Sequence, residues 1–130
     1  MSPKPEIPPE LHELEAEVME DVWGREDEVA VREVMEALNR RTKKPRAYTT
    51  YMTILSRLHA KGLVLRRREG KTDFYRSAYT REEYADLRAQ AGVDSLVERY
   101  GDAALSHFAR QMARLDPDRR RRLQRLARDK

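Results

Sequence analysis

The chain has 130 residues, 39 % hydrophobic and 38 % charged, which is room for one domain of about 75 to 80 residues with a helical appendage, and too little for a multidomain enzyme. The absence of cysteine removes disulfides, zinc knuckles, iron–sulfur clusters and thiolate metal sensing together. The net charge of +4 is unevenly placed: residues 1–39 carry three basic and twelve acidic groups, residues 40–80 twelve and two, residues 81–130 twelve and nine, so the middle third is electropositive.

Pro8 and Pro9 suit the entry to a helix, after which Leu11, Leu14, Val18, Met19 and Val22 recur at helical spacing, with Trp23 beside them and Gly24 as the stop. Val31, Val34, Met35 and Leu38 predict a second short helix ending near Asn39, and Val29 before it a short extended pairing. The basic loop Arg40 to Arg46 follows, and Pro45 argues against helix through it, because proline disfavours helical geometry in the residue before it. A third helix is expected from about Tyr48 to Lys61, with Tyr51, Ile54, Leu55 and Leu58 inward and Gly62 at its C-cap. Leu63 to Arg68 and Thr72 to Ser77 are extended runs separated by Glu69, Gly70 and Lys71, which is a hairpin.

Three helices followed by a hairpin is the order of a winged helix-turn-helix domain, expected at residues 8–79. Thr80 and Glu83 then form a capping box that starts a new helix. Tyr84, Leu87 and Ala91 share one helix, Leu96, Val97 and Tyr100 precede Gly101, and Leu105, Phe108, Met112 and Leu115 follow at steps of 3, 4 and 3. Asp116 and Pro117 open a last helix as N-cap and first-turn proline. These stripes are too narrow for three short helices to form an independent core. Residues 80–130 are therefore expected to be a helical dimerisation region, joined through Tyr84, Leu87, Leu96, Val97, Tyr100, Leu105, Phe108, Met112 and Leu115. The competing reading folds the tail back on its own winged domain. The fold class expected is mainly α with a small β-hairpin.

In a helix-turn-helix unit the start of the second helix enters the major groove, so its side chains must be short and polar or able to meet a thymine methyl. Ala47, Tyr48, Thr49, Thr50, Met52 and Thr53 meet that description, with Arg57 further along the same helix and Lys43, Lys44 and Arg46 just before it. Any one threonine there could be a mere cap, but three of them opposite Ile54 and Leu58 favour groove contact. Arg67, Arg68, Gly70 and Lys71 at the tip of the hairpin would reach phosphates or the minor groove. The partner expected is double-stranded DNA, a palindromic operator read by a homodimer. The runner-up is a winged-helix protein-interaction module without DNA binding, which has no need of three hydroxyls flanked by basic residues. RNA binding is a distant third, since no exposed aromatic pair on a sheet is expected.

Enzyme constellations fail. His12, His59 and His107 are far apart, HELEA at 12–16 lacks the second histidine of a zinc-protease helix, and there is no glycine-rich phosphate loop or nucleophile elbow. No cofactor or metal is expected. The Arg119 to Arg122 run reads as a solvated helix face, with a DNA-backbone role as its alternative. No run approaches the roughly 20 apolar residues of a membrane span, and Met1 to Pro9 has no apolar stretch of signal-peptide type, so a cytoplasmic location and no membrane insertion are expected.

The segments VMEDVW, VREVMEALN, AYTTYMTILSRLHAKGLVLRRREGKTDFYRS and YTREEY resemble the penicillinase-repressor (BlaI/MecI/CopY) family, strongly over residues 11–84 and weakly in the tail. The resemblance implies a homodimeric winged-helix repressor on a palindromic operator, released when a membrane-bound sensor protease triggers cleavage of its tail. The copper-operon branch binds metal through tail cysteines, which this chain lacks. Two departures stand out. Ala30 occupies the place of a threonine before VREV, which removes a side-chain cap from the second helix. SHFAR resembles the cleaved segment, but His107 stands where the family has asparagine, and Phe108 in register with Leu105 and Met112 reads better as a dimer-core aromatic.

Overall fold

The computed structural model describes residues 4–129, so the first three residues of the Met1–Pro9 segment and Lys130 at the end of the expected tail lie outside the described residues. The elements are α1 (Glu13–Trp23), β1 (Val29–Ala30), α2 (Val31–Asn39), α3 (Tyr48–Ala60), β2 (Val64–Glu69), β3 (Thr72–Ser77), α4 (Arg81–Tyr100), α5 (Asp102–Ala113) and α6 (Pro117–Arg128). They form two compact units, Met1–Ala89 and Gln90–Lys130.

The first unit is a winged helix. Val18, Met19 and Val22 of α1 meet Val34 and Leu38 of α2 and Tyr51, Ile54, Leu55 and Leu58 of α3, while Val64 and Tyr75 close the core from the sheet. The three strands are antiparallel in the order β1-β3-β2, so the hairpin gains a third strand in which Val29 pairs with Tyr75 and Ala30 with Phe74. A lone hairpin is marginal in water, and the added strand and packed helices support it.

Local chemistry sets the ends of these elements. Ala30 is the N-cap of α2 and supplies no side-chain bond, but Glu33 reaches back to the Ala30 N–H at 3.0 Å, so half of a capping arrangement survives. Gly62 adopts φ 78° and ends α3 as the paired bonds Gly62 N–H to His59 O (3.0 Å) and Leu63 N–H to Leu58 O (2.9 Å) form. Thr80 and Glu83 exchange both bonds of a capping box, at 2.9 and 3.0 Å, and α4 begins there.

The winged unit continues past the expected boundary at residue 79. Trp23 donates its indole N–H to the Tyr79 carbonyl at 2.9 Å and its ring lies 5.3 Å from that of Tyr84. Tyr84 and Leu87 pack against the winged core, so the first turns of α4 belong to this unit and the division falls after Ala89. The tail helices are not uniformly short: α4 runs 20 residues, the last eleven of them in the second unit, and Gly101 at φ 57° turns the chain into α5. Asp116 caps α6 by accepting from the Arg119 N–H at 3.0 Å, with Pro117 in the first turn.

Candidate nucleic-acid interface

Helix α3 divides cleanly into two faces. Tyr51, Ile54, Leu55 and Leu58 are buried, while Tyr48, Thr49, Met52, Thr53 and Arg57 are exposed and Thr50 is half-buried. The N-cap is Ala47, itself exposed, whose carbonyl receives the Thr50 N–H at 3.0 Å, so none of the three threonines caps the helix. Among the described residues the hydroxyls of Thr49, Thr50 and Thr53 make no hydrogen bond, and Met52 and Tyr48 are each 42 % exposed. A rigid inner face thus presents unsatisfied hydroxyls and a thioether outward. Arg32 of α2 lies with its guanidinium 5.9 Å from the Tyr48 ring centre, which adds to this face a cation that the helical periodicity of α2 did not single out.

The loop before α3 is held by one side chain. Asn39, the last residue of α2, accepts the Arg46 N–H at 3.0 Å and the Tyr51 hydroxyl at 2.7 Å on Oδ1, and donates from Nδ2 to the Arg46 carbonyl at 2.9 Å. Both backbone groups of Arg46 are thereby fixed to the end of α2, and Lys43, Lys44 and Arg46 project from a constrained loop, all exposed. Arg46 has a distant carboxylate, Glu17 at 3.9 Å, whereas Lys43 and Lys44 form no ion pair among the described residues. Sequence reasoning identified the basic residues and missed Asn39. The available signal was an amide ending an amphipathic helix just before a loop containing proline.

The wing turns on two residues, Gly70 and Lys71, between the register pair Glu69 and Thr72, with Gly70 at φ 62° as the first central position of a type II′ turn requires. Arg68 and Lys71 are exposed at its tip. Arg67 is differently placed from the expectation of a free phosphate ligand. Its Nε donates to Glu28 Oε1 at 2.9 Å, Glu69 lies 3.3 Å from Nη2, and its guanidinium sits 5.0 Å from the Phe74 ring centre. The positive end is satisfied within the protein, because alternation along β2 points it across the sheet toward the acidic loop before β1. Beside it Asp27, Glu28, Leu65, Arg66 and Arg76 line a groove of mixed charge.

The residues expected in a dimer seam separate into two groups. Tyr84 and Leu87 are taken up by the winged core. Leu96, Tyr100 and Phe108 come together with Ala103, Ala104 and His107 around an apolar notch in the second unit. Leu105 is 49 % exposed, and Val97, Met112 and Leu115 are half-buried. His107 and Phe108 lie within the continuous helix α5, so a protease would have to open that helix to reach the bond between them. Among the described residues there is no cluster of His, Asp or Glu that could hold a metal ion, and no helix long and apolar enough to cross a membrane.

The family model described as Penicillinase repressor matches residues 11–129. The chain belongs to the penicillinase-repressor family. A relative in this family, the Transcriptional regulator BlaI of Mycobacterium tuberculosis (strain CDC 1551 / Oshkosh), is 38 % identical over 116 residues, covering 86 % of this chain and 80 % of that protein, and the protein of strain H37Rv matches equally. Among solved structures, the DNA binding domain of the repressor BlaI, determined in solution, aligns with a TM-score of 0.51 at 26 % identity, over 59 % of this chain and 90 % of that one. The family and these relatives are described as regulators, not as enzymes. The alignment with a solved DNA binding domain agrees with the winged helix that the residues of the first unit build.

Proposed function

We propose that this protein is a sequence-specific, DNA-binding transcriptional repressor that works as a homodimer on a palindromic operator in the cytoplasm. The observation that carries the reading is the outward face of α3: Thr49, Thr50, Thr53 and Met52, unsatisfied and backed by a fully packed inner face, flanked by Lys43, Lys44 and Arg46. Hydroxyls read base edges, a thioether suits a thymine methyl, and the flanking cations position the helix on the backbone. Arg68 and Lys71 on the wing supply a second backbone contact. The relatives named as a transcriptional regulator and as a repressor with a DNA-binding domain point the same way. The dimer rests on the apolar notch of the tail unit, and release by an upstream sensor-protease signal rests on the family resemblance.

Footprinting over the DNA upstream of the protein's own coding sequence supplies a specific duplex. On it, Thr50→Ala or Thr53→Ala should cost roughly 1 to 3 kcal/mol of specific binding and leave random-sequence binding almost intact. Equal losses on both duplexes would sink the assignment of α3 as the reading helix.

A further inference from the structure

Six of the twelve residues of α6 are arginine and one is aspartate. Arg121, Arg125 and Arg128 fall at i, i+4 and i+7 and share one face, while Leu123 and Leu126 at i and i+3 share the opposite one. Like charges stacked along one face destabilise a helix, yet this one begins with a built N-cap at Asp116. Arg121 pairs with Asp118 in its own first turn; the other five guanidinium groups form no ion pair among the described residues. The stripe runs roughly 10 Å along the helix at 1.5 Å per residue, and among the described residues Asp118 beside Arg121 is its one counter-charge, which leaves Arg125 and Arg128 without any.

We propose that α6 is a second nucleic-acid contact, independent of sequence, in which the Arg121, Arg125 and Arg128 face binds duplex phosphates. The inference rests on the DNA-binding reading for the identity of the polyanion, and adds a site outside the winged unit. Guanidinium forks match phosphate oxygens two at a time, which favours a phosphate ligand over a diffuse acidic surface. An anionic membrane is the weaker partner, because helices that lie in a lipid interface carry a broad, bulky apolar face. That of α6 has two leucines, and the helix has no aromatic residue.

The test uses the full chain and a random-sequence duplex, titrated over a range of salt. The triple variant Arg121→Gln, Arg125→Gln, Arg128→Gln keeps good helix formers, and far-UV circular dichroism checks that α6 persists. It should bind roughly tenfold more weakly at low salt, with a log–log salt slope smaller by about 2 to 3. The triple lysine variant, which keeps the charge, should retain most of the slope. Co-sedimentation of two different duplexes separates a contact on the flanks of one site from a contact to a second duplex. If the glutamine variant matches the wild type in affinity and slope, the inference fails, and it fails equally if the variant loses only binding to phosphatidylserine vesicles. If the wild type binds no duplex at all, it is the underlying DNA-binding reading that falls.

Discussion

The phenolic hydroxyl of Tyr51 donates to Asn39 Oδ1 at 2.7 Å, so the buried face of α3 is tied to the last residue of α2. Because Asn39 also holds both backbone groups of Arg46, one amide sets where the basic loop enters α3. Tyr51→Phe keeps the ring in the core and removes one partner of a half-buried amide, at an expected cost of about 0.5 to 1.5 kcal/mol in urea unfolding. Asn39→Ala should weaken specific duplex binding more than Tyr51→Phe does, since it frees the loop as well. Unchanged affinity in Asn39→Ala would mean that the loop is positioned without it.

Glu28 already holds the guanidinium of Arg67 that a DNA phosphate would need. The carboxylate takes the guanidinium at Nε, and Glu69 lies close to it from the other side. A phosphate can recruit Arg67 only by breaking these pairs. Glu28→Gln should therefore raise affinity for random duplex DNA and steepen the log–log salt slope by up to about 1, as one more cation becomes available. A weaker complex in Glu28→Gln would show instead that the pair braces the wing in its binding geometry.

Glu15 is buried and meets the Lys61 ammonium at 2.8 Å. Burial alone would raise its proton affinity, but the hydrogen bond from Lys61 and the His12 N–H overcome that, and the carboxyl is held below its usual value. A carboxyl depressed in the folded state stabilises the fold fully above its unfolded value, about 4.3, and loses that contribution as pH falls through the lower folded value. Glu15→Gln should cost about 1 to 3 kcal/mol at neutral pH, with Lys61 partly compensated by water. Urea midpoints of wild type and variant should converge as the pH falls through the lowered folded value. A constant gap from neutral to acid pH would show that the packing of the side chain, not its charge, carries the effect.

What the sequence revealed and what it concealed differ by the range of the interaction. The two faces of α3, the turn at Gly70, the stop at Gly62 and the box of Thr80 and Glu83 depend on residues within a turn or two, so their spacing exposes them. Asn39 and Tyr51 are 12 residues apart, and Arg67 and Glu28 are 39 apart, with no periodicity to join them. The apolar stripe of the tail was legible, but a stripe states only that something covers it. Tyr84 and Leu87 are covered by Trp23 and the winged core, which only the folded chain could reveal. Arg67 was assigned with its neighbours at the tip of the hairpin, and the carboxylate that takes it, Glu28, lies in the loop just before β1, a strand of two residues.

The reassignment of Tyr84 and Leu87 changes how the tail must be tested. Cutting the chain after Thr80 would strip the partner of Trp23 from the winged core, and weak DNA binding by that fragment would report a damaged domain. Ending the chain after Ala89 keeps those contacts and removes the second unit. Phe108→Asp in the full chain asks the same question without truncation, because Phe108 lines the apolar notch with Leu96 and Tyr100. An unpaired carboxylate costs several kcal/mol in an apolar interface or keeps that interface open. Both proteins should sediment as monomers with cooperative unfolding retained, and both should lose most of their affinity for a palindromic site while a single half-site is bound as weakly as by wild type. Two winged units related by a two-fold axis read half-sites about one helical turn or a multiple apart, which one unit cannot do. If the Ala89 truncation remains dimeric and keeps full operator affinity, the contacts that join the copies lie on the winged unit, and the notch around Phe108 has another occupant.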